Sequence, residues 1–446
     1  MRDADVVVIG GSAAGIPAAI TARRHYPDKT VLLLRKEERV LVPCGIPYIF
    51  GTVGTCEKNV IPDGVLEKGG VDFLVDEVTD VDRDNRVVTT ASGEEIRYDK
   101  LVLATGSLPI VPPIPGYEKK NVFVVNKSVP YLEGLMNVLS GASDVVVIGG
   151  GFIGVEFAEE CRKNRDINVT VVELLDHCLM LGYDEDICTV VDKAVRDSGV
   201  AVMTGEKVET IEGNEQVERV KLASGKELKA DMVIMAIGAA ANAKLAKKAG
   251  LELGPTGGIQ VDATMRTSDE NIFACGDCAE KVSFFTGKPT KIKLASIATA
   301  EARIAGANLF EIRRRSVGAI GVYSMILGDG AFASAGLTQR EAQDNGYEIV
   351  VGEAESVNRH PGCMPGGTTM RVKLVFEKQT GVILGGQVVG GESAGELVNV
   401  ISACIQKEMT AEDMAVFQMG THPALTASPI SYQLVNAAEV AAGAMR

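Results

Sequence analysis

Apolar residues fall in short β-branched runs that stop at glycine, alternating with stretches that carry a helical period. Two of these runs open identically: residues 5–11 and 144–150 both read DVVVIGG. In each copy a helical stretch follows the glycines and a second apolar strand comes after it, Val31 to Leu34 in the first and Val169 to Val172 in the second. The pattern predicts a βαβ unit twice over. Nowhere do 18 apolar residues run together, and the N-terminus enters its first strand without a basic or cleavable leader. The expectation is a cytoplasmic chain with no membrane segment.

A glycine turn between strand and helix lets the backbone approach a pyrophosphate, which then rests against the N–H groups and positive end of the helix. The second copy supplies Gly149, Gly151 and Gly154, with Phe152 and Ile153 between them and Glu173 closing the next strand. A carboxylate there accepts from both ribose hydroxyls and repels a 2′-phosphate, so this copy reads as an NADH site. The first copy keeps Gly10 and Gly15, but Ser12, followed by Ala13 and Ala14, stands where a middle glycine is expected. The register of Glu173 falls on Leu34, followed by Arg35 and Lys36, with Glu37 as the replacement acid if the turn is a residue or two looser. A dinucleotide is expected here as well.

Composition narrows the class. The chain has 446 residues, room for about three ordinary domains. Its 49 glycines suit an α/β protein of tight turns. A net charge of −14 argues against a nucleic-acid binder. The 9 cysteines, scattered without disulfide or zinc spacing, fit a reducing compartment and predict no metal site.

Three further stretches complete a set: LVLATGSLP (Leu101 to Pro109), DMVIMAIG (Asp231 to Gly238) and TSDENIFACGD (Thr267 to Asp277). Together with the two nucleotide units they resemble the pyridine nucleotide-disulfide oxidoreductase family over essentially the whole chain. The resemblance implies FAD and NAD(P)H as cofactors. It implies an α/β fold of two Rossmann-like dinucleotide domains plus a C-terminal α+β dimerisation domain. The FAD domain would comprise residues 1–115 and 245–320, the NAD(P)H domain 116–244 and the dimerisation domain 321–446. It also implies a homodimer, in which each active site borrows residues from its partner. Gly276 and Asp277 would meet the ribityl and phosphate region of FAD. Ala104, Thr105, Gly106 and Gly238 would form small-residue turns at the cofactors, and Ala295 would lie on a helix beside the flavin.

Candidate chemistry centres on VPCGIPYIFG. Pro47 is tolerated in a first helical turn, which would set Cys44 at a helix N-terminus where a thiolate is stabilised. Five residues on stands Ile49, so no second thiol can close an internal redox disulfide. The chain therefore resembles the single-cysteine branch: coenzyme A-disulfide reductases, NAD(P)H sulfur and persulfide reductases, and NADH oxidases and peroxidases. In these the cysteine cycles through a mixed disulfide, a persulfide or a sulfenic acid. Ala13 replaces a histidine that the oxygen-reducing members carry. Arg23 and Arg24 match an arginine pair that holds coenzyme A phosphates, against the bland reading of a solvated basic helix end. His360 and His422 stand where coenzyme A-disulfide reductases place tyrosines, and either could protonate a leaving thiolate. His25 and His177 read as surface or packing residues, and Cys275 and Cys278 as structural. The expected substrate is a small disulfide, polysulfide or persulfide, with coenzyme A as a further bound group and an oxidase as the alternative.

Overall fold

The computed structural model describes residues 1–445. The chain divides into two compact units: Met1–Ala142 with Gly213–Val217 and Asp231–Ala319, and Ser143–Glu212 with Glu218–Ala230 and Ile320 onward. Each carries one copy of the repeated βαβ unit.

In the first unit the strand order is Asp72–Val75, Val31–Arg35, Arg2–Ile9, Glu95–Leu103, Val87–Thr90 and Val78–Asp82. Its first four strands run parallel, and Ile272–Ala274 pairs parallel with the far end of Glu95–Leu103. Strands buried on both faces need continuous apolar runs, and Val6, Val7, Val8, Leu33 and Leu34 are fully buried. Helices Gly15–His25 and Ala295–Asn308 cover one face. They approach closely because the contact is made of small residues: a Cβ on Gly306 would run into the Ala18 carbonyl.

In the second unit Asp144–Ile148, Asn168–Val172 and Ala201–Met203 run parallel, with helices Phe152–Arg162 and Glu185–Asp197. Its C-terminal part is a five-stranded antiparallel sheet, in the order Val322–Leu327, Gly330–Gly336, Ile383–Gly390, Thr369–Glu377, Ile349–Val357. Helix Gln433–Ala444 lies on the last strand, where only a glycine at 352 leaves room for the Ala437 backbone. A buried polar network ties the two parts together: Gln387 Nε2 donates to Asp184 Oδ2 at 2.6 Å, and Lys373 Nζ pairs with Asp184 at 3.1 Å and Asp186 at 2.9 Å. Each member has a partner, as a buried network requires. No helix is long and apolar enough to cross a membrane among the described residues.

Candidate functional site

The first glycine turn is built by its strand. Gly10 takes φ +115°, its N–H donates to the Leu34 carbonyl at 2.8 Å, and a Cβ there would strike the Ala104 carbonyl. Gly15 opens the helix so close to Gly10 that it too must lack a side chain. Thr299 Oγ1 donates to the Ala13 carbonyl at 3.1 Å and so holds the loop Ser12–Ala14 against the helix that begins at Ala295.

The same unit gathers the other small-residue turns. Ser107–Pro109 pairs antiparallel with Ala239–Ala241, which brings Ala104–Gly106 beside Gly238. Thr105 Oγ1 donates to the Asn242 carbonyl at 2.7 Å, and Ser107 Oγ donates to Asp277 Oδ2 at 2.8 Å. Gly276, at φ +77°, turns the chain immediately before Asp277, and a Cβ there would lie 2.7 Å from Ala14 Cβ. Two residues missed from sequence brace this turn: buried Glu301 accepts from Gly276 N at 2.9 Å and pairs with buried Lys281 at 2.8 Å. Burial pushes the Glu301 carboxyl up, and Lys281 opposes that shift. A Lys at 281 and a Glu at 301 read as solvated charges until their packing is known. This cradle of side-chain-free backbone, with one carboxylate at its rim, fits a flavin dinucleotide.

The register at the end of the second strand is corrected. Gly149 N donates to Val172 O as Gly10 N does to Leu34 O, so the equivalent of Glu173 is Arg35 and not Leu34. The stretch between glycine and strand end is one residue longer in the first copy, which a count along the sequence does not reveal. Glu37 lies two positions beyond that register, 4.0 Å from Lys36. Arg35 instead meets Asp63: NH1 and NH2 donate to its two oxygens at 2.6 and 2.9 Å.

Cys44 is exposed. The expected helix start is also corrected: Pro43–Gly45 and Pro47–Phe50 are separate 3-10 turns, too short to sum a useful dipole. Pro43, Gly45 and Pro47 interrupt the ladder that a longer helix needs. The turn is pinned from the side: Val42 N donates to Asn59 O at 2.9 Å, Asn59 Nδ2 donates to Val42 O at 3.0 Å, and a Cβ on Gly45 would collide with the Asn59 amide. Ile49 is fully buried, and so is Cys56, whose thiol burial pushes up. Cys275 and Cys278 are buried with thiols held above their ordinary range by burial.

In the second unit Gly149 takes φ +108° and Gly151 caps the helix Phe152–Arg162, with Gly154 buried in its first turn. Glu173 closes over this turn, accepting from Gly150 N at 2.5 Å and Leu175 N at 2.7 Å. Ile153 is exposed, while Phe152 stacks on Tyr323 with centroids 4.8 Å apart. One titrating group was not found from sequence: Glu156, pushed up to about 7 by burial and then by Glu159 and Glu160.

His360 and His422 lie together. His360 N donates to the Pro423 carbonyl at 3.0 Å, and its Nδ1 faces the Thr426 carbonyl at 3.1 Å. His422 Nδ1 accepts from Ala424 N at 3.2 Å. The tautomers are therefore opposite: Nε2 is an acceptor in neutral His360 and a donor in neutral His422. A cavity of about 650 Å³ opens beside His360, lined also by Ser356, Arg359 and Ser431.

Arg23 is committed to the carbonyls of Gly70, at 3.1 Å, and Pro27, while Arg24 is exposed. Lys36 is exposed. His25 lies 3.3 Å from Arg314 and His177 pairs with Asp192 at 2.8 Å. No group of His, Cys, Asp and Glu could hold a metal ion among the described residues.

Residues 4–302 match the family model described as pyridine nucleotide-disulphide oxidoreductase, and residues 322–430 match its dimerisation domain. The chain is 33% identical over 420 residues to an NADH oxidase of Methanocaldococcus jannaschii, covering 92% of each. It is 33% identical over 423 residues to the NAD(P)H sulfur oxidoreductase (CoA-dependent) of Pyrococcus furiosus, covering 93% of this chain and 94% of that one. A solved NAD-dependent persulfide reductase from A. fulgidus superposes with a TM-score of 0.91 at 34% identity, over 99% of this chain and 83% of that one.

Proposed function

The chain belongs to the pyridine nucleotide-disulphide oxidoreductase family, and from that premise we propose that it reduces coenzyme A disulfide, persulfide or polysulfide with NAD(P)H, through Cys44. The observation that carries this reading is an exposed thiol in a pinned turn of the first unit, with buried Ile49 where a resolving thiol would stand. In this reading residues 1–115 and 245–320 hold FAD, 116–244 hold NAD(P)H and 321–446 make a homodimer.

A flavin, when bound, accepts hydride from NAD(P)H and delivers two electrons at the level of a disulfide. The chain supplies the rest. Gly10, Gly15 and Asp277 hold the flavin dinucleotide, and Gly149, Gly151, Gly154 and Glu173 hold the nicotinamide dinucleotide, with the Glu173 carboxylate favouring NADH. Cys44 thiolate attacks one sulfur of the substrate, its S–S bond breaks, and the departing sulfur leaves as a thiolate. The proton for that thiolate comes from an imidazolium, His422 or His360, which the homodimer brings from the second subunit. The mixed disulfide left on Cys44 takes two electrons, releases the second thiol and returns the thiolate. Arg24 offers the exposed cation for coenzyme A phosphates.

Cys44→Ser is expected to abolish disulfide and persulfide turnover while FAD stays bound; unchanged turnover rejects the assignment. The likeness to an NADH oxidase favours a second reading, in which Cys44 is oxidised to a sulfenic acid. NADH-dependent oxygen uptake, set against anaerobic disulfide reduction, decides between them, and uptake faster by orders of magnitude selects the oxidase.

A further inference from the structure

The two nucleotide units hold their ribose-facing position differently. In the second, Glu173 folds its carboxylate over Gly150. In the first, the aliphatic stem of Arg35 occupies the same place over Gly11, where a Cβ would lie 2.8 Å from Arg35 Cδ. A permanently charged donor stands where the repeat has an acceptor, and donors cannot satisfy ribose hydroxyl protons.

Arg35 is not alone there. Its guanidinium grips Asp63 through both terminal nitrogens, and NH2 also donates to the Glu38 carbonyl at 3.2 Å. The Phe73 ring lies 4.8 Å from Arg35 Cζ. The Arg35 side chain is 2% exposed, whereas that of Asp63 is 41% exposed. Nε of Arg35 is buried and has no hydrogen-bond partner among the described residues, so the guanidinium keeps one donor for an acceptor from outside the chain.

We propose that the Arg35–Asp63 pair reads the adenosine ribose of the flavin dinucleotide, with Asp63 as the acceptor that the first unit lacks at its strand end and Arg35 as the positioning residue that carries it to the glycine turn. The proposal rests on the assignment of the first unit to FAD. Two consequences separate it from a structural ion pair. The carboxylate matters for what binds, and the ribose hydroxyls matter only while the carboxylate is present.

The test follows FAD release from the holoenzyme on dilution, by the rise in free-flavin fluorescence. Asp63→Asn is expected to release FAD about tenfold faster, the scale of one charge-assisted hydrogen bond. Reconstitution of the full chain with FAD analogues lacking the adenosine 2′- or 3′-hydroxyl is the second arm. The wild type is expected to lose about tenfold in affinity, and Asp63→Asn to lose nothing further. Asp63→Ala, compared for FAD against FMN, covers any general loosening: the proposal requires weaker FAD binding with FMN binding unmoved, and equal loss of both overturns it. Release at the wild-type rate in Asp63→Asn also overturns it. Protein purified without flavin would instead overturn the reading of the first unit on which it rests.

Discussion

The heptapeptide DVVVIGG opens both nucleotide units, and the two backbones answer alike. Gly10 and Gly149 take φ of +115° and +108°, and their N–H groups donate to the second strand at 2.8 and 2.9 Å. At the end of that strand the chemistry inverts: the second unit presents Glu173 to Gly150, and the first lays Arg35 across Gly11 and reaches Asp63, 28 residues further on. Strand and glycine thus set the same turn in both units, while the residue at the strand end is free to change sign if a partner arrives from elsewhere. The shared part is backbone geometry, which a short motif can specify. The divergent part is a tertiary arrangement.

The largest effects should come from the shared part. Alanine at Gly10 must hold a positive φ, at a cost of about 1–3 kcal/mol, and it meets the Ala104 carbonyl as well. Gly10→Ala is expected to weaken FAD retention by roughly a hundredfold, read as the flavin absorbance per chain after purification. Gly149→Ala carries the same φ penalty in the other unit. It should leave the protein yellow while the KM for NADH rises by about tenfold or more. Loss of flavin from Gly149→Ala would break the separation of the two turns.

A smaller effect sharpens the divergent part. Glu173 uses both oxygens on backbone N–H groups of its own turn, so Glu173→Gln keeps an acceptor but loses the charge. The KM for NADH should rise about tenfold, the scale of a charge-assisted bond, and the KM for NADPH less, because the repulsion of its 2′-phosphate goes with the charge. Parallel titrations of both nucleotides check this. Equal losses for the two would mean that Glu173 only braces the turn.

Sequence reading reached the parts that local pattern controls. Both βαβ units lie where the apolar runs and glycines predict them, while the α+β C-terminal part and the Gly276–Asp277 turn are reached only through the family resemblance. It misplaced what depends on loop length and tertiary packing. A count from the repeated heptapeptide puts the equivalent of Glu173 at Leu34, one place before Arg35, because the first copy holds an extra residue between turn and strand end. Pro47 suits a helix start at Cys44, but Pro43 and Gly45 break the turn before a helix can form. Asp63 and Asn59 left no signal, since each acts on a turn many residues away. Glu301 and Lys281 became meaningful only once both were found buried against Gly276.

The smallest effect lies in the helices behind the turns. Where the first helix has Pro17, the second has Glu156, whose carboxyl burial, with Glu159 and Glu160 nearby, pushes up to about 7. The native state therefore holds this proton where the unfolded chain, ionising near an ordinary glutamate, has released it. Between about pH 4.5 and 7 the native state binds more protons, so this group's contribution to stability falls as pH rises and stays at its lowest above that window. Glu156→Gln removes the titration. It is expected to stabilise the protein by about 2 kcal/mol more at pH 8 than at pH 5.5, or roughly 2 °C in the melting temperature of so long a chain. Thermal melts of the FAD-bound protein at both pH values check the sign. A gain that is the same at each pH would mean that glutamine only packs better, and a loss confined to pH 8 would mean that the ionised carboxylate is held by a cation and that the two helices differ in charge as their turns do.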